Sequence, residues 1–289
     1  GSGIDDRPVL SIIATEIYDT MNAQADTTKS KADKPEPETE KNWWLKFYQD
    51  TPFIQYLDNA HREDQEEILA FLSVHTPLPE GAVIYDQCCG VGSISLPLAG
   101  QGHTVYGTDL CPQFIDEAKR RAEILKVQNR AHYLLADATT YTTPSPCDLA
   151  VNLYTSFGYG DDGVNLAMLK MARGCLKEGA PFLLDFPNFY LVISSFRKHI
   201  VRNIDTATGT LTVNREAAFS PETGRLLQEW TFIEADGKRS CQKSSLAVYL
   251  PHQIKDMLRQ IGFESIELMG DFHGTPFGVN SPRCIALAR

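Results

Sequence analysis

The 289 residues predict an α/β fold: a parallel sheet with helices on both faces, interrupted late in the chain by an antiparallel insertion. Three observations carry this expectation. Short apolar runs alternate with stretches of helical period from Ala82 to Phe186. Within them, Ala82 to Asp109 (AVIYDQCCGVGSISLPLAGQGHTVYGTD) packs strand, glycine turn, helix, strand and terminal acid into one unit, the arrangement that binds nucleoside-containing cofactors at the carboxyl ends of parallel strands. From Thr210 polar and apolar residues alternate, as strands with one face in water require.

Taken in order, Gly1-Ser2-Gly3 reads as a cloning scar and Pro8 to Tyr18 as a short amphipathic helix. Asn22 to Lys41 is polar, charged and proline-bearing with almost nothing to bury, so it reads as a flexible linker. The division is therefore 1–21 scar and tethered helix, 22–41 linker, and 42–289 main domain. Three roles stand open for the tethered helix: a lid, a dock on a second copy in a homodimer, or a frayed end. Next comes an aromatic segment, Asn42 to Leu57. Trp43, Trp44, Phe47, Tyr48, Phe53 and Tyr56 exceed one helix face, so some of them cover something other than their own helix. Aromatic faces attract cations.

His61 to His75 reads as a helix, Val83 to Tyr85 as the first strand, Ile94 to Ala99 as a helix and Thr104 to Gly107 as the second strand. Cys111 to Leu125 is a helix opening near Pro112, a residue pre-organised for a first turn. Ala131 to Ala136 is a third strand. Asp148 opens a fourth, in which Asn152 is a polar residue on a buried strand and needs partners. The helix Asp162 to Leu176 and the strand Pro181 to Phe186 follow. Three antiparallel strands are expected in an insertion at about 205–250, parted by Ser220–Gly224 and Asp236-Gly237. Pro251 to Ile261 is the last helix, stopped by Gly262. Phe263 to Asp271 and Pro282 to Arg289 close the sheet.

A hydrophobic content of 43% and a charged content of 22% describe a soluble globular chain. The net charge of -10 and pI near 5.2 disfavour nucleic acid, whose phosphates are held mainly by Lys and Arg. Apolar stretches fall short of the ~20 residues of a membrane helix, and the start shows no signal pattern, so a cytoplasmic location is expected. Seven cysteines without a C-x-x-C pair indicate neither a disulfide framework nor a zinc site, and no metal is expected.

The glycine turn narrows the cofactor. Where a dinucleotide site wants a third glycine, this chain has Ser95, and Asp86 lies four residues before Gly90, where its carboxylate would repel a pyrophosphate. A cation suits it better. S-adenosylmethionine carries an ammonium and a sulfonium and no phosphate. The pattern D-x-C-C-G-x-G at Asp86–Gly92, with G-x-D-L at Gly107–Leu110, resembles motif I and its neighbour in class I S-adenosylmethionine-dependent methyltransferases. N-L-Y-T-S-F-G-Y at Asn152–Tyr159 resembles motif IV of one branch of that family.

The resemblance implies a Rossmann-like class I methyltransferase sheet with an N-terminal helical lid. It also implies a cofactor site at Asp86, Cys88, Gly90, Gly92, Asp109, Leu110, Asp137, Ala138 and Asn152, with Asp109 on the ribose and Asp137 on the adenine amino group. Asn152, Tyr154 and Tyr48 are the expected catalytic residues, and Trp44, Ser156, Tyr159, Asn188 and Arg197 the expected substrate contacts. The N-P-P-Y or D-P-P-Y sequence of enzymes that methylate base amines is not present in this loop, which disfavours DNA as a substrate.

Methyl transfer is an in-line displacement that mainly needs alignment, and a base is required only where the acceptor must lose a proton. Tyr154, Tyr159, His199, His252, Asp271 and His273 are candidates for that base. Arg197, Arg215 and Arg283 are candidates to bind a substrate carboxylate. Methylation of a small molecule is the leading expectation. A second is cyclisation of the cofactor to azetidine-2-carboxylate and methylthioadenosine by its own amine, and a third is a non-catalytic partner subunit that binds the cofactor. A nicotinamide enzyme ranks below these, on Asp86 and Ser95.

Overall fold

The computed structural model describes residues 42–289 apart from Asp50, Ala207 and the side chains of 51 and 53–63. The tethered helix, the linker and the dimer contact expected of residues 1–41 lie outside the described residues, as do the side chains of Phe53 and Tyr56.

Two helices, α1 (Trp44–Phe47) and α2 (Thr51–His75), precede the sheet. The central elements are β1 (Val83–Gln87), α3 (Ser95–Gly100), β2 (Thr104–Asp109), α4 (Pro112–Ile124), β3 (Ala131–Leu135), β4 (Leu149–Asn152), α5 (Asp162–Cys175) and β5 (Phe182–Pro187). A short helix α6 (Phe189–Ser194) leads to β6 (His199–Thr206), β7 (Gly209–Ser220), β8 (Arg225–Ile233) and β9 (Arg239–Ala247). The chain then returns through α7 (Pro251–Gln260) to β10 (Ile266–Met269) and β11 (Arg283–Ala288).

The main sheet has the order β10-β11-β5-β4-β1-β2-β3. Its central strands run parallel, and β11 enters antiparallel between β5 and β10. Side-chain alternation explains the two-sided core. Ile84, Leu149, Val151 and Leu183 face one layer with α2, α3 and α4, whereas Tyr85, Ala150, Phe182 and Leu184 face the other with α5 and α7. This is the expected architecture, with both faces of the sheet covered.

The insertion differs from expectation. It is a four-stranded sheet in the order β6-β7-β8-β9, not three-stranded, and it begins at His199 rather than near 205. The additional strand, β6, lies on the edge and buries only Ile204, so HIVRNIDT carries no alternating pattern to be read. Edge strands of this polar kind are a common guard against pairing with other chains.

Candidate active site

A cavity of about 460 Å³ opens at the carboxyl ends of β1, β2 and β4. Its floor is the glycine turn after β1. Cys88, Gly90 and Gly92 all adopt positive φ, at 60°, 54° and 81°. Gly90 faces the cavity. Gly92 is required on the other side of the turn, since a Cβ there would lie 2.5 Å from the Tyr133 hydroxyl, and it does not line the cavity. Asp109 ties the floor together: one carboxylate oxygen accepts from the Gly90 amide at 3.0 Å and the other from the Cys111 amide at 2.9 Å. Gln65 of α2 braces the same turn by donating to the Ser93 carbonyl.

The electrostatics of the floor are acidic. Asp86, Asp109 and Asp137 line the cavity, and among the described lining residues there is no Lys, Arg or His. Burial pushes the Asp86 carboxyl up to about 7, opposed by a hydrogen bond from Ser95 and reinforced by Asp109. Burial also raises Asp109, against the pull of the Cys111 and Gly90 amides. A buried acid with a half-buried one beside it fits a ligand that brings positive charge and repels a pyrophosphate. The donor set therefore matches S-adenosylmethionine.

The aromatic segment forms a wall. Trp44 and Tyr48 line the cavity with Tyr159, and the Tyr48 and Tyr159 hydroxyls are hydrogen-bonded to each other. The inserted sheet holds this wall from behind. The Trp43 indole donates to the Ser245 carbonyl at 3.1 Å, while Arg225 donates to the carbonyls of Tyr159 at 2.8 Å, Gly160 at 3.0 Å and Ser245 at 3.0 Å. Neither Arg225 nor Ser245 was singled out from the sequence, because the contacts span up to 202 residues.

After β4 the chain passes through two consecutive non-glycine residues at positive φ, Tyr154 at 58° and Thr155 at 64°. A sparsely populated conformation of this kind needs outside support. Asp185 on β5 supplies it by accepting from the Tyr154 amide at 3.0 Å, while its carboxylate is clamped by the Arg283 guanidinium, with Nε at 2.8 Å. Tyr154 and Ser156 face the cavity; Phe157 packs in the core against Tyr249. An acid in the middle of the apolar run PFLLDF was the signal that could have exposed Asp185.

Of the residues predicted for the cofactor, Asp86, Cys88, Gly90, Asp109, Leu110, Asp137 and Ala138 line the cavity together. Asp137 caps its own turn by accepting from the Thr139 amide at 2.8 Å and hydroxyl at 2.7 Å. Several expectations are corrected. Asn152 is fully buried and does not line the cavity: strand alternation points it toward α5, and its amide donates to Gln87 Oε1 at 2.9 Å. Gln87 in turn donates to the Met168 and Ala138 carbonyls at 3.0 and 3.3 Å. Asn152 therefore acts on the site through Gln87, a residue the sequence reading passed over.

Asn188 is also away from the cavity. It caps α6 and donates to the Val279 and Ser281 carbonyls at 3.0 and 2.8 Å, so its side chain is occupied in holding a loop. Arg197 is exposed outside the cavity. Arg215 lies over the Trp230 ring, and Arg283 is paired with Asp185 and Asp64. His199, His252, Asp271 and His273 do not line the cavity either. Among the described residues, no group of three or more His, Cys, Asp or Glu is placed to hold a metal, and no helix is long and apolar enough to cross a membrane.

Comparison with known proteins adds to this geometry. Residues 84–179 match the family model described as a methyltransferase domain. A stretch of 98 residues is 34% identical to the magnesium-protoporphyrin O-methyltransferase of Synechocystis sp., covering 32% of this chain and 42% of that protein. The chain spans about half or less of the curated relatives it matches. A S-adenosylmethionine-dependent methyltransferase from Clostridium acetobutylicum superposes with a TM-score of 0.69 at 18% identity, covering 81% of this chain and 98% of that one. The S-adenosylmethionine-bound amino pentose methyltransferase CalS10 from Micromonospora echinaspora superposes with a TM-score of 0.58 at 16% identity, covering 80% and 89%. The fold is that of the class I S-adenosylmethionine-dependent methyltransferases, and S-adenosylmethionine is the cofactor that this fold binds.

Proposed function

From a methyltransferase domain set in a class I fold, we propose that this chain is an S-adenosylmethionine-dependent methyltransferase acting on a small molecule. The observation that carries this reading is the cavity itself, in which an acidic floor at the strand ends meets an aromatic wall of Trp44, Tyr48 and Tyr159. Asp109 and the Gly90 turn would hold the nucleoside, Asp137 and Ala138 the adenine, and Asp86 the cationic end. The cofactor supplies an activated methyl group. The chain's own residues supply alignment: the Asp185-supported loop sets Tyr154 and Ser156 beside the reacting region, and the aromatic wall limits water.

A volume of about 460 Å³ lies in the lower part of the ~300–1,000 Å³ span of small-molecule sites, which supports a small acceptor over a polymer. The net charge of -10 agrees. The same small volume favours one further reading, in which the amine of S-adenosylmethionine attacks its own γ-carbon, closing azetidine-2-carboxylate and releasing methylthioadenosine. Titration calorimetry with S-adenosylmethionine and S-adenosylhomocysteine tests the cofactor assignment. Transfer of a labelled methyl group into a filtered metabolite extract tests the acceptor class. Saturable binding with label in the small-molecule fraction supports methyl transfer, and label confined to macromolecules would reverse the assignment.

A further inference from the structure

We propose that the acceptor of this site is an amine, recognised as a cation by the cage that Trp44, Tyr48 and Tyr159 form. The inference rests on the methyltransferase reading and narrows its substrate class. The Tyr48 and Tyr159 rings lie 6.1 Å apart between centroids and 23° from parallel, and Trp44 lies 6.5 Å from Tyr159 at 34°. All three rings line the cavity, so a cation seated against them comes within the ~6 Å over which ring faces attract it. The linked phenol hydroxyls fix the two tyrosines relative to each other.

Charge points the same way. With Asp86, Asp109 and Asp137 given to the cofactor, no described lining residue offers a cation to a carboxylate or phosphate. An anionic acceptor would therefore be buried without a partner, which is strongly unfavourable. The arginines that might have served one are held elsewhere: Arg283 by Asp185 and Asp64, and Arg225 by backbone carbonyls.

For an ammonium acceptor the chemistry balances simply. The nitrogen first gives up a proton to solvent and then shares its lone pair with the methyl carbon. The electrons of the carbon–sulfur bond remain on sulfur, leaving neutral S-adenosylhomocysteine and a methylated, again cationic, product.

The test uses binding rather than turnover. Protein saturated with S-adenosylhomocysteine, which has no sulfonium, is titrated with tetramethylammonium chloride, with sodium acetate and sodium chloride as matched salts. The expected result is saturable binding of tetramethylammonium alone, weakened at least tenfold in Tyr159→Leu and in Trp44→Leu when each variant is itself first saturated with S-adenosylhomocysteine. Using two variants guards against one that misfolds. Equal or tighter binding of acetate, or no response to tetramethylammonium in protein that does bind S-adenosylhomocysteine, would overturn the amine inference alone. Failure to bind S-adenosylhomocysteine would overturn the methyltransferase reading and this inference with it.

Discussion

Tyr48 and Tyr159, 111 residues apart in the chain, join their hydroxyls in the cavity wall and so connect the aromatic segment ahead of the sheet to the loop that follows β4. Arg225 and Ser245 of the inserted sheet hold both sides of that junction. The bond between the tyrosines is expected to contribute about 1 kcal/mol, as a neutral hydrogen bond does. In a double-mutant cycle with Tyr48→Phe and Tyr159→Phe, urea unfolding is expected to return a coupling energy of that size. Strict additivity would show that the two hydroxyls act independently.

Asp109 is expected to be needed for the cofactor and only in part for the fold. Asp109→Ala frees the amides of Gly90 and Cys111, and S-adenosylmethionine affinity should fall at least tenfold in calorimetry while a cooperative unfolding transition survives. Asp109→Asn keeps an acceptor for one amide and turns a donor toward the other, so an intermediate loss is expected. An unchanged affinity in the alanine variant would mean that the floor is built for something else.

The Asp86 carboxyl, raised to about 7 by burial, couples binding to pH. A cationic ligand prefers it ionised, so affinity for S-adenosylmethionine should fall about tenfold between pH 8 and pH 6. The effect on stability has the opposite sign. Between about pH 4 and pH 7 the unfolded carboxyl is ionised while the folded one keeps its proton, so ligand-free protein should lose stability as pH rises through this window. Thermal melts across pH 4–8, with Asp86→Asn as the reference lacking this slope, check both signs.

The pair of Asp185 and Arg283 has a structural role. Asp185 is fully buried and Arg283 is partly so, and Asp185→Ala leaves the guanidinium its longer pairing with Asp64 at 3.4 Å while releasing the Tyr154 amide. Breaking a buried pair of this kind costs about 3–5 kcal/mol. A urea denaturation midpoint matching the parent would show that the strained loop does not depend on it.

Much of the fold was legible because apolar periodicity marks elements that are buried. The central strands of the main sheet stood out as short runs rich in apolar residues, and the Asp86, Gly90 and Asp109 spacing brought out the floor of the site. Strand β6 was missed because seven of its eight residues are not buried and its pattern carries no alternation. The errors in the site share one physical cause, which is that a residue type does not announce which face of its element it occupies. Asn152 and Asn188 looked like ligand contacts because they flank the cavity in sequence, yet strand alternation and helix capping turn both side chains elsewhere. Arg225, Ser245 and Asp185 act across contacts of 20 to 202 residues, and local pattern is silent at that range.

The measurement that bears most directly on the central claim is to incubate the protein with S-adenosylmethionine, with and without a pool of small amines, and to identify the nucleoside products by mass spectrometry. Methyl transfer predicts S-adenosylhomocysteine only when the pool is present, with intact S-adenosylmethionine otherwise. Methylthioadenosine formed without the pool would contradict methyl transfer and establish the cofactor as the substrate.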